Sequence, residues 1–144
     1  MSARRSSSTR VVSLTTRHAT VAVGNQEEVE VAVGTGDPHE ASGVLLDLGL
    51  DLALVKRGPE GVLARTKEGV AEAPPIEVEI VNGLGAGDAF GGALCHGLLH
   101  GWEPERTLRF ANAAGAIVAS RLACADDMPT PREVEELLER STGD

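Results

Sequence analysis

Val81-Asn82-Gly83-Leu84-Gly85-Ala86-Gly87-Asp88-Ala89-Phe90-Gly91-Gly92 is the stretch on which the reading of this chain turns. Before it, Ile76-Glu77-Val78-Glu79-Ile80 alternates apolar and acidic residues, the pattern of a strand. After it, Ala89 to Leu99 is an apolar run that reads as a helix. A glycine-rich turn between strand and helix points several backbone N–H groups at one spot, and the helix N-terminus adds about half a positive charge there. The combination is an anion site with an acid in it. Asp88, in the first helical turn, is stabilised as a carboxylate and is available as an acceptor or a base beside a bound phosphate.

Two better-known glycine loops do not fit. In a dinucleotide fingerprint, G-x-G-x-x-G, the sixth position counted from Gly83 is Asp88 rather than glycine. In a Walker A loop, G-x-x-x-x-G-K-[ST], Gly87 and Gly92 have the spacing, but Ala93-Leu94 follows in place of lysine and a hydroxyl.

The chain of 144 residues is long enough for one domain with a sizeable core, and 42% hydrophobic residues argue for a globular fold. A net charge of -9 argues against nonspecific binding to nucleic acid or to an anionic membrane surface. It does not argue against ATP, whose phosphates meet Mg²⁺ and local N–H groups. No apolar run is long enough to span a bilayer, and the Arg/Ser-rich start, Met1 to Arg10, lacks the apolar centre of a secretory signal. Cys95 and Cys124 stand alone in apolar, helix-like runs, so both read as buried free thiols of a reducing compartment, and the expected location is cytoplasmic.

Residues 1–18 read as a disordered or unrelated tail, and 19–144 as the folded part. Ala19 to Gly24 reads as a buried strand, followed by a helix over Gln26 to Val33 capped by Asn25. Asp37-Pro38 starts a second helix that ends at Gly49. Leu50 to Lys56 is a strand, Arg57-Gly58-Pro59-Glu60-Gly61 a tight turn, and Val62 to Arg65 a returning strand. Beyond the central loop three helices follow. Ala89 to His100 has an apolar face of Phe90, Ala93, Leu94, Gly97 and Leu98, with Gly91, Gly92 and Gly97 suited to close backbone approach. A second runs from about Pro104 to Leu122, and Thr130 caps a third, Arg132 to Arg140. Strands alternating with helices predict an α/β fold with an open, mostly parallel sheet, whose ligands bind beyond the C-terminal strand ends.

Asn82 to Phe90 resembles the second signature of the PfkB/ribokinase carbohydrate kinases, commonly D-T-T-G-A-G-D-x-F. The resemblance runs from about Ala19 to Leu138 and corresponds to the C-terminal half of a member. It implies a ribokinase-like fold and ATP-dependent phosphoryl transfer to a sugar or sugar-acid hydroxyl. Asp88 would be the catalytic base, with the N–H groups of Gly85, Ala86 and Gly87 as anion hole. A plain helix cap is the competing reading of Asp88. Asn25-Gln26-Glu27-Glu28 resembles the family's N-x-x-E motif, which implies that Asn25 and Glu28 lie near Mg²⁺, through water; a capping asparagine followed by first-turn acids would look the same. Val55 to Gly61 resembles the nucleotide loop, in which Gly58 and Gly61 would shape the turn over ATP and Lys56 would neutralise phosphate charge; a simple hairpin turn is the alternative. Phe110 to Ala116 resembles the small-residue helix bordering the adenine, which makes Asn112 a candidate contact; close helix packing explains it equally.

Around the loop the sequence looks most like the members that phosphorylate 5-dehydro-2-deoxygluconate in inositol catabolism; 2-keto-3-deoxygluconate, fructose and ribose stay open as substrates, because the family's sugar contacts lie mostly in the other half. Asn82-Gly83-Leu84 departs from D-T-T and weakens transfer of the family's monovalent-cation site. Members are roughly twice this length, and their N-terminal half carries most sugar contacts and a lid. The chain therefore reads as a truncated kinase, or as a remnant or split-enzyme half that binds nucleotide and needs a missing N-terminal half or a dimer partner to phosphorylate sugar. His96 and His100 share a helix face, but Gly97 stands where a zincin has glutamate, so a solvated or partner-facing edge is expected. Trp102 reads as a core lid, and Arg106 and Arg109 as solvated helix residues.

Overall fold

The structure is a computed structural model that describes residues 20–121 and 128–142. The tail expected over 1–18 and Cys124 lie outside the described residues. The chain forms two compact units, residues 1–72 and 73–144.

The first unit runs β1 (Val21–Asn25), α1 (Gln26–Val33), α2 (Pro38–Asp47), β2 (Leu52–Lys56), a 3-10 turn (Gly58–Glu60) and β3 (Val62–Thr66), with β4 (Gly69–Ala73) at its end. The strands lie side by side in chain order. β1 and β2 are parallel, with Asn25 opposite Lys56. β2 and β3 are antiparallel, with Lys56 opposite Val62. The sheet is thus mixed, and the reason is length: a parallel return needs a crossover of about a dozen residues, and Arg57 to Gly61 is a turn. β4 adds the fourth strand, next to β3.

Local chemistry sets the helix ends of this unit. Asp37 accepts the Glu40 N–H at 2.9 Å and Pro38 occupies the first helical position of α2. Past its end, Gly49 takes φ 105°. Val29 of α1 and Ala41 and Leu45 of α2 pack with Leu50, Ala53 and Val55 into one core. Leu52 to Val55 is buried residue after residue, as the unbroken apolar run requires. Ser42, fully buried, accepts from Arg65 Nε at 3.0 Å and donates to the His39 carbonyl at 3.0 Å, so its hydroxyl is satisfied.

The second unit holds α3 (Ala86–Leu99), α4 (Pro104–Ala119) and α5 (Pro131–Thr142). α3 starts three residues before the expected Ala89, and α4 ends before the expected Leu122. Ala89, Phe90, Ala93, Leu94 and Gly97 are buried on α3, and Leu108, Ala111, Ala114 and Val118 on α4. Leu98, expected on the apolar face, is 41% exposed, and Cys95 is exposed rather than buried. The expected strand over Ile76 to Ile80 is not formed. A strand must pair its backbone groups with a neighbour, and the described elements of this unit from Pro74 onward are helices.

α3 and α4 are antiparallel neighbours joined by a tight turn at Gly101, φ 65°. A Cβ on Gly97 would lie 2.7 Å from Thr107 Cγ2, so the glycine is required by close approach. At Gly91 and Gly92 a Cβ would meet nothing within 4 Å, so the expectation of close approach holds at Gly97 and not at these two. Rings fill the far end of the pair: His96 stacks on Phe110 at 5.5 Å, Trp102 sits edge-on to Phe110 at 5.0 Å, and His100 lies 4.1 Å from His96. His96, half-buried, is therefore part of an aromatic cluster, while His100 stays exposed at its edge, as expected. Arg106 lies over Trp102 at 3.8 Å and within 3.7 Å of Glu135, so it is engaged rather than merely solvated.

α5 is fastened at its start. Thr130 and Glu133 form a reciprocal capping box, with Thr130 N–H donating to Glu133 Oε2 at 2.7 Å and Glu133 N–H to Thr130 Oγ1 at 3.3 Å. Arg121 Nη2 donates to the other Glu133 oxygen at 2.6 Å. The backbone hydrogen bond from Thr130, then the Arg121 guanidinium, hold the Glu133 carboxyl at about 2. Because the folded value lies below the unfolded one, this contribution is full above about pH 4.5 and is lost as pH falls toward about 2.

In urea unfolding, Glu133→Gln lowers the midpoint at pH 7, and the gap from wild type closes between about pH 4.5 and pH 2; a gap independent of pH contradicts the assignment. Gly97→Ala destabilises by about 1–3 kcal/mol through overpacking against Thr107, partly recovered in the double variant with Thr107→Ala. Gly91→Ala, in open space, is neutral or stabilises by up to about 1 kcal/mol.

Candidate active site

In the second unit the loop Val81 to Asp88 is built from the backbone outward. The N–H groups of Val81 and Asn82 both donate to the Ala119 carbonyl, at 2.9 and 3.1 Å. The Asn82 side-chain oxygen accepts the Leu84 N–H at 3.0 Å, which bends the chain toward Gly85. Gly85 then adopts φ 87° and caps α3, a conformation that a side chain would strain. Its carbonyl accepts the Ala89 N–H at 3.0 Å, the first bond of the helix.

This geometry rules out the plain helix cap as the role of Asp88. The cap is Gly85, no side chain caps the helix, and Asp88 stands two residues inside α3, exposed. Its carboxylate makes no hydrogen bond among the described residues, so it has no structural employment as a cap. Of the three N–H groups expected to form an anion hole, that of Ala86 donates to the Gly83 carbonyl at 3.3 Å, while those of Gly85 and Gly87 have no partner among the described residues. The Asp88 N–H is likewise unpaired there, a donor that the sequence reading did not include. These are the open donors that every helix start presents, and here glycines leave access to them. Asp88 also lines a cavity of about 370 Å³ with Gly92, Ala93, His96, Phe110 and Val134.

Asn112, on α4, donates its amide to the Pro74 carbonyl at 2.7 Å. The side chain thus ties down the start of the unit, and its oxygen and second amide hydrogen have no partner among the described residues.

In the first unit, Asn25 and Lys56 lie opposite each other at the C-terminal ends of the parallel pair β1–β2, where ligands of α/β sheets bind. Asn25 caps α1 through a reciprocal box: Glu28 N–H donates to Asn25 Oδ1 and Asn25 N–H to Glu28 Oε2, both at 2.8 Å. Glu28 folds back so closely that a Cβ on Gly24 would lie 3.3 Å from Oε2. One oxygen of Glu28 remains outside the box. Among the described residues no cluster of three or more His, Cys, Asp or Glu could hold a metal by itself. A single carboxylate oxygen beside an asparagine does fit Mg²⁺ carried by phosphates and water, since Mg²⁺ binds through one or two carboxylates and keeps several waters.

The turn after Lys56 is held by Arg57 N–H to Gly61 O at 2.8 Å and Gly61 N–H to Gly58 O at 3.1 Å. Gly58 has φ 56°, and Gly61 φ 88° with ψ -147°. Both glycines are thus demanded by the backbone. Arg57, unnoticed in the sequence, reaches Glu72 at 3.1 Å and fixes the turn to β4.

An α/β unit with a glycine turn at its strand ends, and a helix start offering unpaired N–H groups beside an exposed carboxylate, are features that suit a phosphate ligand. The model of the pfkB family carbohydrate kinases matches residues 2–131, and the chain belongs to that family. It is 32% identical over 130 residues to 5-dehydro-2-deoxygluconokinase of Bacillus subtilis, covering 88% of this chain and 40% of that protein. The Clostridium perfringens protein of the same name is 28% identical over 133 residues, covering 89% and 39%. Ribokinase from Thermotoga maritima shares the fold with a TM-score of 0.79 and 30% identity, covering 88% of this chain and 44% of its own. An E. coli ribokinase II solved with ATP and Mg²⁺ gives 0.83 and 26%, covering 91% and 42%. The ribokinase-like α/β fold is therefore established, and the chain spans about two fifths of the length of the curated relatives it matches. Among the described residues no helix is long and apolar enough to cross a membrane.

Gly61→Ala forces a side chain into a region that is close to glycine-only and is expected to cost about 1–3 kcal/mol in urea unfolding. Pro59→Ala, at an exposed position of the same turn, serves as the mild control.

Proposed function

We propose that this chain carries the nucleotide and phosphoryl-transfer groups of a cytoplasmic carbohydrate kinase acting on a sugar acid of the 5-dehydro-2-deoxygluconate type. The observation that carries the proposal is the uncommitted carboxylate of Asp88 beside the unpaired Gly85 and Gly87 N–H groups. Asp88 takes the proton of the sugar hydroxyl as that oxygen attacks the γ-phosphorus of ATP. The bond from that phosphorus to the β,γ-bridging oxygen breaks, and ADP leaves. Gly85 and Gly87, joined by Ala86 if its long bond to Gly83 opens, hold the transferring phosphoryl group. Lys56, Gly58 and Gly61 are assigned to the phosphates and nucleotide, Asn112 to the surroundings of the base. Asn25 and Glu28 are assigned to Mg²⁺ through water, which when bound neutralises phosphate charge. Asn82, with its side-chain oxygen on Leu84 N–H, argues against a monovalent-cation site of the usual family kind.

The coverage of about two fifths of the relatives favours a second reading alongside. In it, the chain binds nucleotide and the sugar is held by polypeptide outside these 144 residues, from an N-terminal kinase half or a dimer partner. Calorimetry with ATP and Mg²⁺, followed by turnover of 5-dehydro-2-deoxygluconate, separates the two. Asp88→Asn retains ATP binding and loses turnover by at least about 10²-fold. Equal turnover in both proteins removes Asp88 as the base. Binding without turnover in wild type selects the second reading, and absence of binding contradicts both.

A further inference from the structure

The loop that carries Gly85 to Asp88 rests on the last turns of α4, and it does so at both of its ends. At the entry, one acceptor, the Ala119 carbonyl, takes the N–H groups of both Val81 and Asn82. At the exit, α4 presents Gly115, where a Cβ would lie 3.2 Å from the Ala86 carbonyl oxygen and 3.8 Å from Phe90 Cβ. Residues 115 and 119 are four apart on a helix and so face the same way. The contact at Gly115 is with backbone, not with a side chain that can rotate aside. The Ala86 carbonyl and the Gly87 N–H belong to one planar peptide unit. Whatever moves that oxygen re-aims that N–H.

We infer that α4 is the positioning platform of the phosphoryl-holding loop, with Gly115 the residue whose missing side chain sets where the Gly87 N–H points. Gly115 touches no reacting atom in this account; it acts through the Ala86–Gly87 peptide. A glycine in mid-helix costs about 1 kcal/mol relative to alanine, and here that cost is offset by the approach it permits. Gly97 marks the other end of the same helix pair but meets the side chain of Thr107, far from the loop, so it affects stability alone. The inference rests on the anion-hole reading proposed above, but its geometric half can be tested without it.

The experiment follows the ¹⁵N–¹H signals of Gly85, Gly87 and Asp88 in wild type, Gly115→Ala and Gly91→Ala. Spectra are recorded without ligand and during titration with inorganic phosphate, at a temperature where all three proteins are fully folded. In the free protein, Gly115→Ala shifts these three signals and Gly91→Ala does not. With phosphate, Gly115→Ala binds at least about fivefold more weakly than wild type, the order expected for displaced donors, while Gly91→Ala matches wild type. Loss of stability alone does not change affinity in the folded state. Unmoved loop signals in Gly115→Ala, or unchanged phosphate affinity, overturn the inference. If wild type shows no phosphate response at these amides, the anion-hole reading fails, and the ligand-free signals still decide whether Gly115 sets the loop. Should Gly115→Ala fail to fold, wild-type hydrogen exchange replaces it. The Val81 and Asn82 N–H groups, both bonded to the Ala119 carbonyl, are expected to be protected to the same degree as the last turn of α4; free exchange at these two amides overturns the platform.

Discussion

Close approach of α3 and α4 is the constraint from which the second unit follows. Two helices can come this near only where a Cβ is missing, and one is missing at each end of the contact: Gly97 against Thr107, and Gly115 against the Ala86 carbonyl. The first brings Phe90, Ala93 and Leu94 into the core with Ala111, Ala114 and Val118. The second sets the start of α3, and hence the height at which Gly87 and Asp88 stand. A rigid helix pair beneath a glycine loop is a sound base for phosphoryl transfer, because that reaction depends on positioning and preorganised charge more than on covalent help from the protein.

The first unit solves a different problem, that of ending strands cleanly at a helix start and at a glycine turn. β1 runs into α1 with no loop, since Asn25 closes the strand and caps the helix at once. β2 ends one residue before a turn whose two glycines occupy left-hand backbone space. At the first of these ends the Asn25 and Glu28 side chains are held by bonds from backbone N–H groups. The Asn25–Glu28 box does not compete with a role at Mg²⁺; it leaves one carboxylate oxygen oriented by the other.

Much of this was legible in the residues. Asn25, Asp37-Pro38 and Thr130 announced helix starts, because the side chains that satisfy open N–H groups are few. Gly58 and Gly61 announced the turn. Family membership was legible from Asn82 to Phe90, where glycines and an acid follow one another in an order that structure alone does not demand. Ile76 to Ile80 misled because alternation reports the two faces of a strand and says nothing of whether a neighbouring strand exists. Cys95 misled because an apolar run around a residue does not say which helix face it takes. The roles of Ala119 and Gly115 had little signal: one acts through a backbone carbonyl, which any residue has, and the other through an atom it lacks. A glycine interrupting the alanine-rich middle of α4, at a cost in helix propensity, was the one hint.

The central claim is that the start of α3 holds the group being transferred. A crystal structure of the chain with Mg²⁺ and a non-hydrolysable ATP analogue tests it directly. The account predicts the terminal phosphate within hydrogen-bonding distance, about 3 Å, of the Gly85 and Gly87 N–H groups, with the Asp88 carboxylate facing it. A terminal phosphate bound elsewhere, with those N–H groups turned to water, would contradict it.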